Sequence, residues 1–120
     1  MKFENLNAWK DARFLVRSIY SLTRSKPLAI DFQLSSQIQS AAVSIMSNVA
    51  EGFERIHIAE KIQFYNTARS SCGEVRSLLF VIADNYPECS SLAFDIMPFT
   101  ESVGKLISGL LSSTQRRLKN

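Results

Sequence analysis

AAVSIMSNVAEGFER, residues Ala41 to Arg55, carries the most regular pattern in this chain. Extended upstream and set at 100° per residue, it puts Leu34, Ile38, Ala41, Ile45, Val49 and Gly52 within about 40° of one line, the apolar stripe of a core-facing helix. A second line, a quarter turn away, holds Gln33, Gln37, Ser40, Ser44, Glu51 and Arg55, with Asn48 at its border. The remaining side carries Val43, Met46 and Ala50, where an ordinary surface helix would place Lys or Glu. Two apolar faces require two packing partners, because contiguous exposed apolar area marks an interface. One partner is the chain's own core. The other is read as a second subunit, met through Val43, Met46 and Ala50.

Around this helix, predicted over residues 31–53 with Asp31 as its cap, three more helices are expected. The first spans residues 7–23, with Asn5 or Asn7 as cap and a core face of Trp9, Ala12, Val16, Ile19 and Tyr20. Ser25, Lys26 and Pro27 end it, since proline disfavours helical geometry in the residue before it. A third covers 58–84, with Ile58, Ile62, Tyr65, Ala68, Cys72, Val75, Leu79 and Ala83 inward. After the breaker Asn85-Tyr86-Pro87-Glu88, a fourth covers 89–115. Its seam of Leu92, Ile96, Phe99, Val103, Leu106 and Leu110 advances in steps of four and three, with a kink or break expected near Pro98. Gly52 has two readings, a turn after the second helix or close packing against the core. The fold class expected is all-α, an antiparallel up-down four-helix bundle in a single domain of residues 1–120.

Composition supports a folded chain: 46% of the 120 residues are hydrophobic and 21% charged, with four Gly and three Pro. That balance excludes disorder, and the length buries a core without disulfides. Residues 1–30 hold six basic and two acidic groups, 31–104 four and nine, and 105–120 four and none. Lys10, Arg13, Arg17 and Arg24 form one helical stripe flanked by Trp9 and Tyr20; Arg116, Arg117 and Lys119 crowd the end of the chain. Such a stripe suits a phosphate backbone, with aromatics at hand for stacking. It equally suits the wet side of an amphipathic helix, and both readings stand at this point. If the helices alternate in direction, the basic tail returns beside Lys2 and Lys10.

Catalytic patterns are scarce. His57 is the single histidine, at a turn; no nucleophile motif, Walker loop or HExxH occurs, and the Glu-x-x-His pairs of di-iron bundles are absent. The expectation is no enzyme activity, no metal and no cofactor. Cys72 and Cys89 lie far apart without ligand spacing, and Cys72 falls on an apolar helical face as a buried thiol. Polar residues Ser44, Asn48, Glu51, Arg55, Glu60, Ser71 and Glu74 are expected to form a network between the second and third helices, either fixing register or holding a polar ligand. The first residues, MKFENLNAWKDAR, have no apolar run, and the longest uncharged apolar run is Leu78 to Ala83. A cytoplasmic protein without membrane contact is expected.

SNVAEGFER, together with Gln37, Ile38, Glu60, Phe64, Ala68, Ser71 and Glu74, resembles the 23S rRNA intervening-sequence protein family. Weaker likeness runs from Leu6, Trp9 and Lys10 through Ile19 and Tyr20 to Leu106, Leu110 and Leu111. The resemblance implies a small helical bundle assembling into rings, typically of five, without catalytic activity. It also implies a setting near nucleic acid: some members are encoded inside inserts in ribosomal RNA genes, and similar bundles are accessory subunits of diversity-generating reverse transcriptases. The chain departs from the family at Gln39 and Ser40, where basic residues are common, so the second helix is not the expected nucleic-acid surface. The expected function is an oligomeric bundle contacting RNA or DNA through Lys10, Arg13, Arg17, Arg24, Arg116, Arg117 and Lys119. The alternative is a protein-interaction scaffold without a nucleic-acid role.

Overall fold

The computed structural model describes residues 1–118, and Lys119 lies outside the described residues. A 3-10 turn at Phe3–Asn5 precedes α1 (Asn7–Thr23), a short α2 (Lys26–Ala29), α3 (Phe32–Glu54), α4 (Ile58–Asn85) and α5 (Pro87–Leu118). The chain is all-α among the described residues. Each of the four long helices packs against two others, in the order α1, α3, α4, α5 and back to α1. Neighbours run in opposite directions. Ser44 meets Ser71 and Asp31 meets Tyr86 across α3 and α4, while Phe14 meets Phe99 across α1 and α5.

Local chemistry starts and stops the helices where the chain turns. Asp31 caps α3, its carboxylate accepting from the Leu34 N–H at 3.2 Å. At the other end, Lys61 reaches back from the first turn of α4 and donates to the Gly52 and Phe53 carbonyls at 3.2 and 2.8 Å. Those carbonyls belong to the last turn, which has no intrahelical donors left, so a cation is favoured there twice over. Burial lowers the Lys61 pKa, aided by Arg117 and opposed by Glu54. Tyr86 closes the far end of the same helix pair, donating its hydroxyl to Asp31 at 2.6 Å.

That last bond makes stability pH-dependent. The Tyr86 hydroxyl, then the Leu34 N–H, hold the Asp31 carboxyl below its ordinary 3.8, and the same bond raises the Tyr86 phenol above its ordinary 10.0. A lowered carboxyl contributes stability that is present above about pH 4 and fades as pH falls through the folded value; a raised phenol contributes below about pH 10 and fades above it. Tyr86→Phe is therefore expected to lower the urea midpoint at pH 7, with the gap from the natural chain closing as pH falls below about 4. An equal gap at pH 7 and pH 2 would show that the charge on Asp31 adds nothing to the bond.

The core is continuous; Leu34 on α3 and Ile58, Ile62 and Ala83 on α4 are half-buried instead of buried, and the larger differences from the expected core lie on two helices. On α1 the buried line is Ala8, Ala12, Leu15, Ile19 and Leu22, whereas Trp9, Val16 and Tyr20 are only half-buried. Because α1 touches two helices, its buried line points between them; Tyr20 lines a groove beside α3 and Trp9 lies against Phe3, each with one edge wet. On α5 the buried line runs through Cys89, Ala93, Ile96, Met97, Thr100, Val103, Ile107 and Leu111, leaving Leu92 42% and Phe99 43% exposed. Small residues such as Ala93 and Thr100 face the core there, and a count of large apolar side chains overlooks them. Pro98 does not break the helix: α5 runs from Pro87 to Leu118 without interruption. Its missing N–H falls on the exposed side, and Ile96, Met97, Thr100 and Val103 are buried on either side of it. The helix continues through Leu118, past the expected end at residue 115.

Gly52 is a packing residue. No described residue has a positive φ, so no left-handed turn uses it. A Cβ built on it would lie 2.6 Å from Tyr65 Cε1 and 2.8 Å from Cδ1, and Tyr65 is itself buried. The AEGF segment therefore lets α3 and α4 approach at this level by omitting one methyl group.

Candidate nucleic-acid interface and polar network

The cations expected on helix 1 are all exposed on one outward face. Lys10, Arg13, Arg17 and Arg24 lie opposite the buried line of α1, and the two ion pairs among the described residues, Arg55–Glu51 and Arg76–Glu101, include none of them. Arg13 stacks its guanidinium over Trp9 at 5.7 Å. A shallow pocket of about 450 Å³ crosses this face, lined by Glu4, Trp9, Lys10, Arg13, Phe14 and Arg17. Phe14, which the sequence reading passed over, is 49% exposed and rests on Phe99 at 5.2 Å.

The tail does not reach the α1 stripe. Phe14, between Arg13 and Arg17, sits level with Phe99 on α5, and the helix runs on for about 26 Å before Arg116. Arg117 lies near Lys61 and Tyr65 at the start of α4, where its charge adds to the burial that lowers the Lys61 pKa and opposes the burial that raises the Tyr65 phenol. The tail therefore joins the α3–α4 corner and not Lys10. Arg76 on α4 pairs with Glu101 on α5 at 3.1 Å.

The polar network forms only in part. Ser44 Oγ and Ser71 Oγ lie 3.0 Å apart, and Asn48 Nδ2 donates to both the Ser44 carbonyl and hydroxyl, at 2.8 and 3.0 Å. Arg55 bonds Glu51 at 2.9 Å and lies over the Phe64 ring at 4.7 Å. Among the described residues Glu60 and Glu74 join neither group: Glu60 is half-buried, and Glu74 is exposed at the edge of a groove with Ser36, Gln37, Ser40 and Ser44, bonded to none of them. Of the expected network, the one hydrogen bond that crosses between α3 and α4 is Ser44–Ser71, with Asn48 bonded to Ser44 on its own helix. Ser71 is 7% exposed, so Ser44→Ala is expected to cost about 1 kcal/mol by orphaning its hydroxyl, while Ser44→Ala with Ser71→Ala together is expected to be nearly neutral. Urea unfolding of the three variants measures this; additive losses would show no link.

The expected subunit face is uneven. Val43 is 40% exposed, but Met46 and Ala50 are half-buried and Met46 packs on the core. Beside Val43, a groove of about 490 Å³ runs between α1 and α3, lined by Tyr20, Ser36, Gln39, Ser40, Ser44 and Ser47. His57 precedes α4, exposed and without a capping bond. Burial pushes the Cys72 thiol up to about 12, which leaves it protonated and inert at neutral pH. Among the described residues no group of three or more His, Cys, Asp or Glu side chains is placed to hold a metal ion, and no helix is long and apolar enough to cross a membrane.

The sequence model of the 23S rRNA-intervening sequence proteins matches residues 4–109, which spans the four long helices. The chain belongs to that family. No curated protein matches it. The intervening-sequence family match includes the whole α1 stripe and the SNVAEGFER segment but stops before Arg116 and Arg117.

Sequence reasoning missed Lys61, Tyr86 and Phe14. Tyr86 acts on Asp31, 55 residues away, and Lys61 on Gly52 and Phe53 across the α3–α4 turn, so no helical spacing marks them; Phe14 stood in plain view, one residue from Arg13.

Proposed function

We propose that this intervening-sequence protein is a non-enzymatic, self-associating bundle that binds RNA or DNA along the outward face of α1, in the cytoplasm, as an accessory to a nucleic-acid enzyme or to ribosomal RNA. One observation carries the reading: Lys10, Arg13, Arg17 and Arg24 share one exposed line, and neither ion pair of the described residues involves them. Cations spaced along a rod match the repeat of phosphates and bind them with little sequence preference. Arg116 and Arg117 provide a second, separate contact, with Lys119 beyond the described residues. The family's name, taken from ribosomal RNA, points the same way. Assembly into a ring of five subunits would repeat the stripe around the ring and multiply its avidity.

A second reading, a scaffold that meets only proteins, draws on exposed Val43 and the serine-lined groove beside it. In that case the basic face serves solubility. Fluorescence anisotropy with a labelled structured RNA and a DNA duplex separates the two. Four phosphate contacts are expected to weaken binding about 50- to 150-fold between about 50 and 200 mM salt. Absence of binding at the lower salt would leave the scaffold.

A further inference from the structure

We propose that the pocket across α1 takes a single unstacked base, so that this face reads single strands in preference to duplex. The inference rests on the reading of α1 as a nucleic-acid surface and names which form it binds. A duplex rod needs only a line of cations. Here the cations are interrupted by a concavity of about 450 Å³, with Trp9 and Phe14 on the two flanks of the helix and Lys10, Arg13 and Arg17 between them. Each ring is braced from behind: Trp9 by Phe3, edge to face at 5.2 Å, and Phe14 by Phe99 at 5.2 Å. Arg13 already lies over the Trp9 ring at 5.7 Å, so the open surfaces are this guanidinium plane, backed by Trp9, and the Phe14 ring, 49% exposed; both stack on a base face, and a paired base keeps its faces hidden.

Glu4 sharpens the choice. It stands in the wall of the same pocket and in neither ion pair of the described residues. A carboxylate repels phosphate and only accepts hydrogen bonds, so its place among cations fits a base edge that donates. The cytosine amino group does so, while thymine presents carbonyl oxygens on both sides of its one ring N–H. The pocket is therefore selective for amino-bearing bases.

Trp9 is the only tryptophan in the chain, so its emission reports on this pocket alone. The test titrates the full-length protein at about 50 mM salt with a deoxycytidine oligomer, a thymidine oligomer and a blunt duplex of equal length, following Trp9 emission with unlabelled probes and anisotropy with labelled ones. The expected result is quenching of Trp9 by the deoxycytidine oligomer and about tenfold tighter binding of it than of either other probe, with Glu4→Gln removing the difference between the two oligomers. Binding without any change in Trp9 emission, or a duplex bound as tightly as the deoxycytidine oligomer, would overturn the base pocket while leaving α1 as a phosphate surface. Failure of all three probes to bind would overturn both readings.

Discussion

Gly52→Ala is expected to destabilise the protein by about 1–2 kcal/mol and lower its Tm by several degrees, although alanine is the better helix former. Two effects oppose each other. Removing glycine from a helix interior gains about 1 kcal/mol. Against this, the new methyl would stand 2.6 and 2.8 Å from two carbons of the Tyr65 ring, contacts that require ring or backbone to move. Tyr65 is 3% exposed and packed on every side, so the movement is resisted, and overpacking of this kind costs about 1–3 kcal/mol. The steep contact places the cost at the upper end, and overpacking wins. A second background makes the argument specific: with Tyr65→Leu already in place, Gly52→Ala should cost much less or even stabilise, giving a coupling of about 1 kcal/mol or more in thermal or urea unfolding. Equal costs in both backgrounds would mean that Gly52 matters for some reason other than the ring.

Reversing two charges on α1, Arg13→Glu with Arg17→Glu, is expected to weaken nucleic-acid binding about a hundredfold at low salt and to cut the salt dependence by about half. Both residues are exposed and outside the ion pairs of the described residues, so the change removes no contact of the fold except the stacking of Arg13 over Trp9. Circular dichroism and the melting temperature should stay close to those of the natural chain, because surface substitutions of this kind usually change stability by no more than about 0.5 kcal/mol. Unchanged affinity in the anisotropy titration would remove α1 from the binding surface and shift attention to Arg116 and Arg117. Those two lie about 26 Å along the bundle from Phe14, far enough for the surfaces to be tested separately.

Periodicity alone determined a good deal about this protein. Ile38, Ala41, Ile45, Val49 and Gly52 form the buried line of α3 as expected, because that helix lies between two neighbours and its apolar residues repeat strictly. Capping by Asp31 was legible too, since a cap acts within one turn. The same reasoning placed the cations of α1 on a single face, for spacing fixes which residues of a helix share a side.

Tertiary structure decided the rest, wherever the partner comes from a distant part of the chain. Ala8, Leu15 and Leu22, rather than Trp9 and Tyr20, became the core of α1 because the positions of α3 and α5 set which way that helix faces. Lys61 on the end of α3, and Tyr86 bonded to Asp31 across 55 residues, appear only when α3 and α4 are laid side by side. Both readings of Gly52 were open until the absence of positive φ and the Tyr65 ring at its Cα chose packing over turning. The separation of the two basic ends has the same origin: α5 is long enough to carry Arg116 past the start of α1, and a helix length becomes a distance only when its neighbours are in place.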